Sequence, residues 1–225
     1  ANELAIDIAK AIGAEPVITT ASDNRGIEAL DIYLRDNDFA YNSREALTII
    51  LGAIVNNKKI YLDADEFKFK YDNFTNDKSE ADYTIIQDEG YMINDEENTL
   101  YIIKKKYNMG IGLRRGTDFA VLEKAFQEIL KEMDINPKAI KRFGSIDIKK
   151  DEEALLELCK KYDRELIFYT ADELNKVDVS EKSDFVKKIT GAYSVSEAAA
   201  KLLGGKIILT KKIIDSITFS ITEEI

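Results

Sequence analysis

Two adjacent arginines sit inside a glycine-bracketed turn, "GIGLRRGT", spanning Gly110 to Thr117. Gly110, Gly112 and Gly116 permit close backbone approach, and Thr117 is placed to cap a helix whose free N–H groups would face the same point. With the guanidinium groups of Arg114 and Arg115, such a turn suits a carboxylate or a phosphate. The plain alternative is a tight strand–helix turn with exposed arginines. Three further stretches carry reactive or binding groups. In "SIDIKKDEE", Ser145, Asp147 and Lys149 are expected at a strand end, while Asp151, Glu152 and Glu153 complement the dipole of the helix that follows. In "FYTADELN", Thr170 and Glu173 form a capping-box pattern that needs no ligand. In "TGAYSVSEAAAKLLGG", Thr190 and Gly191 form a turn, Ser194 or Ser196 can cap a helix, and Glu197 lies in its first turn. A first-turn glutamate normally compensates the dipole, but at a cleft it can act as a base, as can Asp147.

The chain of 225 residues contains no histidine and a single cysteine. Ser-His and Cys-His catalysis and imidazole metal sites are thereby excluded. Any catalysis falls to carboxylates, lysine, tyrosine, hydroxyls or backbone amides. Cys159, in "EALLELCKKY", has the spacing of a helical core position and reads as a small buried hydrophobe.

Charge is unevenly spread within a formal total of −10: residues 1–105 hold 11 Lys/Arg against 21 Asp/Glu, and residues 106–225 hold 21 of each. Neither part has the basic excess of a nucleic-acid binder, so no nucleic-acid partner is expected. The neutral but locally basic second part suits a small anionic ligand. No apolar run approaches the length of a membrane span and no signal-peptide pattern is present, so the expectation is a cytoplasmic protein without membrane partners.

The alternation of patterns shows what must position these groups. "ANELAIDIAKAIGA" reads as an amphipathic helix, "EPVITT" as a strand and "ASDNRG" as a loop; residues 1–25 are expected to be the tail of a truncated N-terminal α/β region. Residues 26–105 read as a middle α/β region, with Ser43 capping the helix in "YNSREALTIILGAIV", strands at "KKIYLD", "ADYTIIQ" and "TLYIIKK", and a solvated loop at "DNFTNDKSEAD". From residue 106 to 225, strands and helices alternate, closing with a hairpin around Asp215. That order predicts a three-layer α/β/α domain with a mixed, mostly parallel sheet, whose ligands gather at the carboxyl ends of its strands.

A dinucleotide reading is a weaker alternative. Gly110-x-Gly112-x-x-x-Gly116 is a loosened fingerprint, but Asp147 follows Gly116 by 31 residues, against about 20 for the usual ribose acid. Two arginines at the pyrophosphate position are also atypical.

Taken together, "ANELAIDIAKAIGAEPVITTASD", "GIGLRRGT", "SIDIKKDEEALLEL", "FYTADELN" and "TGAYSVSEAAAKLL" resemble, in order, the CbiG family, the cobalt-precorrin-5A hydrolases of cobalamin biosynthesis. The likeness covers nearly the whole chain, densest from Met109 to Leu203 and thinnest from Asp31 to Lys105. It implies a preceding N-terminal region and a C-terminal part like the stand-alone CobE domain. It also implies opening of the ring-A δ-lactone of cobalt-precorrin-5A, with release of acetaldehyde, on the anaerobic route to vitamin B12. The partner would be an anionic cobalt-corrinoid intermediate; the cobalt travels with the substrate, so no cofactor and no protein metal site are expected. Arg114, Arg115 and Lys149 would meet its acetate and propionate groups. Gly110, Gly112, Gly116, Thr117, Ser145, Thr190, Gly191 and Ser194 complete the candidate binding set. Asp147 and Glu197, with backbone amides, are the catalytic candidates. Leu113 stands where the family often has Cys, so a thiol there is not essential. The other readings are a non-catalytic corrinoid-binding or carrier protein and a dinucleotide-dependent oxidoreductase.

Overall fold

In the computed structural model the described residues are 30–69 and 71–224. The stretches expected to form the first helix, strand and loop lie outside them. The earlier elements are α1 (Leu30–Asp36), β1 (Phe39–Tyr41), α2 (Arg44–Val55), β2 (Ile60–Asp63), β3 (Phe74–Thr75), β4 (Tyr83–Gln87) and β5 (Thr99–Lys104). Ser43 caps α2 as expected, its hydroxyl accepting from the Ala46 N–H at 3.1 Å. The strands form a sheet in the order β1-β5-β4-β2-β3, antiparallel between β1 and β5 and parallel between β2 and β3. The stretch read as a solvated loop instead contains β3 and a 3-10 turn, Lys78–Glu80. Phe74 is the reason: its ring packs 5.5 Å from Tyr71 and 6.4 Å from Phe67, drawing a polar segment onto an aromatic cluster.

Two compact units emerge. One comprises the described residues up to Asn37 with Ser43–Ile85 and Asn98–Leu100; the other comprises Asp38–Asn42, Ile86–Glu97 and the chain from Tyr101 onward. The units interleave along the chain.

The second unit carries β6 (Tyr107–Gly112), α3 (Phe119–Glu132), β7 (Ile140–Ile146), α4 (Glu153–Tyr162), β8 (Glu165–Tyr169), α5 (Ala171–Asn175), α6 (Asp184–Thr190), α7 (Ser196–Leu203), β9 (Lys206–Ile214) and β10 (Ile217–Glu223). Its sheet runs β8-β7-β6-β10-β9. The first three strands are parallel, and β10 is antiparallel to both neighbours. Asp215 and Ser216 join β9 to β10 with φ of 49° and 66°, the left-handed pair that suits the twist of a two-residue hairpin.

Alternation along β6 builds the layers. Met109 and Ile111 enter a core with Leu122, Phe126 and Ile129 of α3, Leu155 and Leu158 of α4, and Phe143, Phe219 and Ile221 of the sheet. The opposite face is thin. A Cβ on Gly110 would lie 1.9 Å from the Ser196 carbonyl oxygen, and one on Gly144 would lie 3.3 Å from Ala199 Cβ and 3.0 Å from Leu203 Cδ1. The small-residue helix α7 therefore lies almost on the strand backbones. The result is the α/β/α sandwich with a mixed, mostly parallel sheet that the element order predicts.

Candidate functional site

The carboxyl ends of β6 and β7 bring the arginine turn beside the "SIDIKKDEE" segment. Arg115 donates from Nη1 to Asp151 Oδ2 at 2.9 Å, and from Nη2 to Asp151 Oδ1 at 3.1 Å and the Ile148 carbonyl at 2.8 Å. The hydrogen bond from Arg115 holds the Asp151 carboxyl below its usual range. The Gly116 N–H donates to Glu152 Oε1 at 2.7 Å, with Gly116 at φ 74°, a left-handed conformation that favours glycine. The other oxygen of buried Glu152 lies 3.5 Å from the Nζ of buried Lys149. Burial lowers the Lys149 pKa, and Glu152 only partly opposes this.

Asp118, rather than Thr117, caps α3, accepting from the Ala120 N–H at 2.8 Å. The Thr117 hydroxyl is occupied in donating to the Arg114 carbonyl at 2.7 Å. The Arg114 side chain is exposed and has no partner among the described residues. A cleft of about 590 Å³ opens beside the turn, lined by one cation, Arg115, and five acids: Asp118, Asp151, Glu152, Glu153 and Glu157. The anion that Arg115 holds is thus the protein's own Asp151.

The remaining candidates separate. Gly110 faces α7, and Gly112 faces the Thr218 hydroxyl of β10 and then Val195 before α7, so their missing side chains serve packing within the fold. Buried Ser145 donates to the Ile111 carbonyl at 2.7 Å, tying β7 to β6. Thr190 ends α6, its hydroxyl donating to the Val186 carbonyl at 2.8 Å, and Gly191 closes that helix at φ 82°. Neither Ser194 nor Ser196 caps α7: the cap position is Val195, without a side-chain bond. Ser196 is drawn inward instead, its hydroxyl accepting from Ser220 Oγ at 3.1 Å.

The two catalytic candidates differ sharply. Glu197 is buried, and its oxygens accept from the Ser180 N–H at 2.9 Å, Ser180 Oγ at 2.7 Å and Lys201 Nζ at 2.8 Å. Burial alone would raise its pKa, but the bonds from Lys201 and Ser180 outweigh it and lower the value. A carboxylate so engaged is a poor base and a good clamp. Asp147 is half-buried at the end of β7, its carboxylate without a partner among the described residues.

Sequence reasoning missed the structural work of Asp151 and Glu152, read only as dipole compensation. It also missed a network at the other end of the strands, where Glu224 accepts from Asn108 at 2.9 Å, Lys141 at 2.7 Å and Arg142 at 2.5 Å. Burial alone would raise the Glu224 carboxyl, but these three bonds take it down to about 2. No local pattern could signal partners 116 positions apart.

Among the described residues no group of three or more His, Cys, Asp or Glu is placed to hold a metal ion, and no helix is long and apolar enough to cross a membrane. The dinucleotide alternative loses its footing: the Gly110 face is filled by α7, the Gly116 N–H by Glu152 and Arg115 by Asp151.

Residues 107–222 match the family model described as the cobalamin synthesis G C-terminus. The chain belongs to this family. Similar to this family member is the cobalt-precorrin-5A hydrolase of Priestia megaterium, 31% identical over 242 residues, covering 98% of this chain and 65% of that protein. The probable cobalt-precorrin-5A hydrolase of Methanocaldococcus jannaschii is 36% identical over 116 residues, 50% of this chain and 35% of the relative. The chain therefore spans less than two thirds of either curated relative. Among solved structures, CobE, a protein from the cobalamin (vitamin B12) biosynthetic pathway, aligns with 26% identity and a TM-score of 0.48 over 53% of this chain and 91% of CobE.

Proposed function

We propose that this family member, in its full-length form, is a cobalt-precorrin-5A hydrolase: water opens the ring-A δ-lactone and the two-carbon bridge leaves as acetaldehyde. The observation that carries the reading is the 31% identity, over 98% of the chain, to a relative named for that substrate and reaction class. The site chemistry narrows the roles. Lactone opening needs a base for the attacking water, and Asp147 has uncommitted oxygens where Glu197 has none to spare. Arg114 is the cation of the turn left free for a substrate acetate or propionate. Arg115 and Lys149 act through Asp151 and Glu152, shaping the turn that presents Arg114.

The test is acetaldehyde release from cobalt-precorrin-5A by the full-length protein. The wild type is expected to release it, and Asp147→Asn to slow release by about 100-fold or more, the usual weight of a general base. Binding of the macrocycle without acetaldehyde would overturn the hydrolase reading in favour of a carrier.

A further inference from the structure

The amino-terminal ends of β6, β7 and β8 carry a second cleft, of about 260 Å³, at the opposite end of the strands from the arginine turn. Four cations line it against three acids. Two of the cations are neutralised: Lys141 lies 3.0 Å from Asp38 and 2.7 Å from Glu224, and Arg142 lies 2.5 Å from Glu224. The other two make no ion pair among the described residues, although the Asp163 charge acts on both and the Asp38 charge on Lys105. The Lys105 ammonium, half-buried, has neither hydrogen bond nor ion pair among the described residues. Arg164 meets only backbone oxygens: Nε donates to the Ile140 carbonyl at 2.5 Å, Nη1 to the Asp163 carbonyl at 2.7 Å and Nη2 to the Lys138 carbonyl at 3.1 Å. One N–H on each terminal nitrogen is left over, a fork held rigid by its own carbonyl contacts.

We propose that this cleft binds a carboxylate group, with the Arg164 fork and the Lys105 ammonium as its donors. With Glu224 counted beside its partners Lys141 and Arg142, the cleft holds four charges of each sign, so it is the donor set and not an excess of charge that selects the ligand: the spare N–H groups of one planar guanidinium and one ammonium match the two oxygens of a carboxylate. Burial, and then the neighbouring Arg164 charge, lower the Lys105 pKa against the opposing pull of Asp38 and Asp163, and a bound carboxylate reverses that disadvantage. The carboxylate can come from a free small polycarboxylic acid or from a propionate arm of a tetrapyrrole. The cleft is independent of the hydrolase reading, which acetaldehyde release tests separately.

Calorimetric titration of the whole chain with citrate, with coproporphyrin (a tetrapyrrole bearing four propionates) and with inorganic phosphate distinguishes the sources. Lys105→Ala is expected to weaken the carboxylate ligand at least tenfold with an unchanged thermal midpoint, since that side chain makes no internal bond. Lys188→Ala, the same charge change on an exposed position of α6, is expected to leave affinity unchanged. Citrate affected by Lys105→Ala supports the site and points to a free acid; coproporphyrin affected, alone or with citrate, supports it and points to a macrocycle arm. No binding, tightest binding of phosphate, or equal effects of the two lysine variants overturns the proposal.

Discussion

At Gly110 the hydrogen in place of a side chain is what lets α7 lie on the sheet. A methyl there would meet the backbone carbonyl of Ser196, which no rotamer change can move. Gly110→Ala is therefore expected to cost about 3 kcal/mol in urea denaturation, at the upper end for overpacking. Gly116→Ala meets open space and only a left-handed φ of 74°, for which about 1 kcal/mol is expected. The ratio of the two costs separates packing from conformational strain. Glu152 offers a comparable contrast. Glu152→Ala leaves the Lys149 ammonium buried without a counter-charge, and a loss of about 3 kcal/mol is expected. Glu152→Gln keeps an acceptor for the Gly116 N–H and should lose less. Both glycines were visible in the sequence as places of close approach, but not what approaches: at 110 it is a helix, at 116 a glutamate.

Between elements, single carboxylates act as staples. Glu197 ties the segment around Ser180 to the first turn of α7. Glu197→Ala is expected to speed hydrogen exchange of the Ser180 amide by an order of magnitude or more while β6 and β10 keep their protection. Equal acceleration throughout the sheet would refute a local clamp. Glu224 ties the end of β10 to the starts of β6 and β7 through Asn108, Lys141 and Arg142. Its carboxyl falls from 4.5 to about 2 on folding, so its contribution is present above the unfolded value and is lost as pH drops through the folded one. Roughly 3 kcal/mol at pH 7 is the corresponding order of magnitude. The stability gap between wild type and Glu224→Gln should hold from pH 7 to pH 5, then close as pH falls from 4.5 toward 2; a gap independent of pH would sink this account.

For the molecule as a whole, Cys159 is a built-in reporter. Burial pushes its thiol up to about 12, so the reactive thiolate is almost absent from the folded chain at neutral pH. Labelling by a thiol reagent should follow unfolding of the second unit, with a rate that rises with urea in step with loss of its helical signal. Rapid labelling under native conditions would show that the α3–α4 face of the core opens on its own. The same scale exposes an electrostatic asymmetry that composition blurs. The charge-neutral second part carries an acidic cleft at the carboxyl ends of its strands, while at their amino ends cations and acids are matched. Averaging over residues 106–225 hides that acidic cleft, whose five acids gather around the single cation Arg115.

From residue 106 onward the strand and helix order, the β9–β10 hairpin and the buried place of Cys159 were legible in the sequence, as were the Ser43 and Thr170 caps, whereas the short strands β1 and β3 were not. Each follows from periodicity or from bonds spanning a few residues, and such signals lie within a short window of the chain. So did the family likeness, since ordered blocks survive as text. Only the tertiary structure decided what the anion-seeking turn holds. Arg115 reaches Asp151, Gly116 reaches Glu152, and Gly110 meets Ser196, pairings set by how strands and helices pack. Arg114 and Asp147 remain uncommitted at the strand ends because packing satisfied their neighbours first. Which charges a protein consumes internally and which it keeps for a ligand depends on distances across the chain, and those exist only once it has folded.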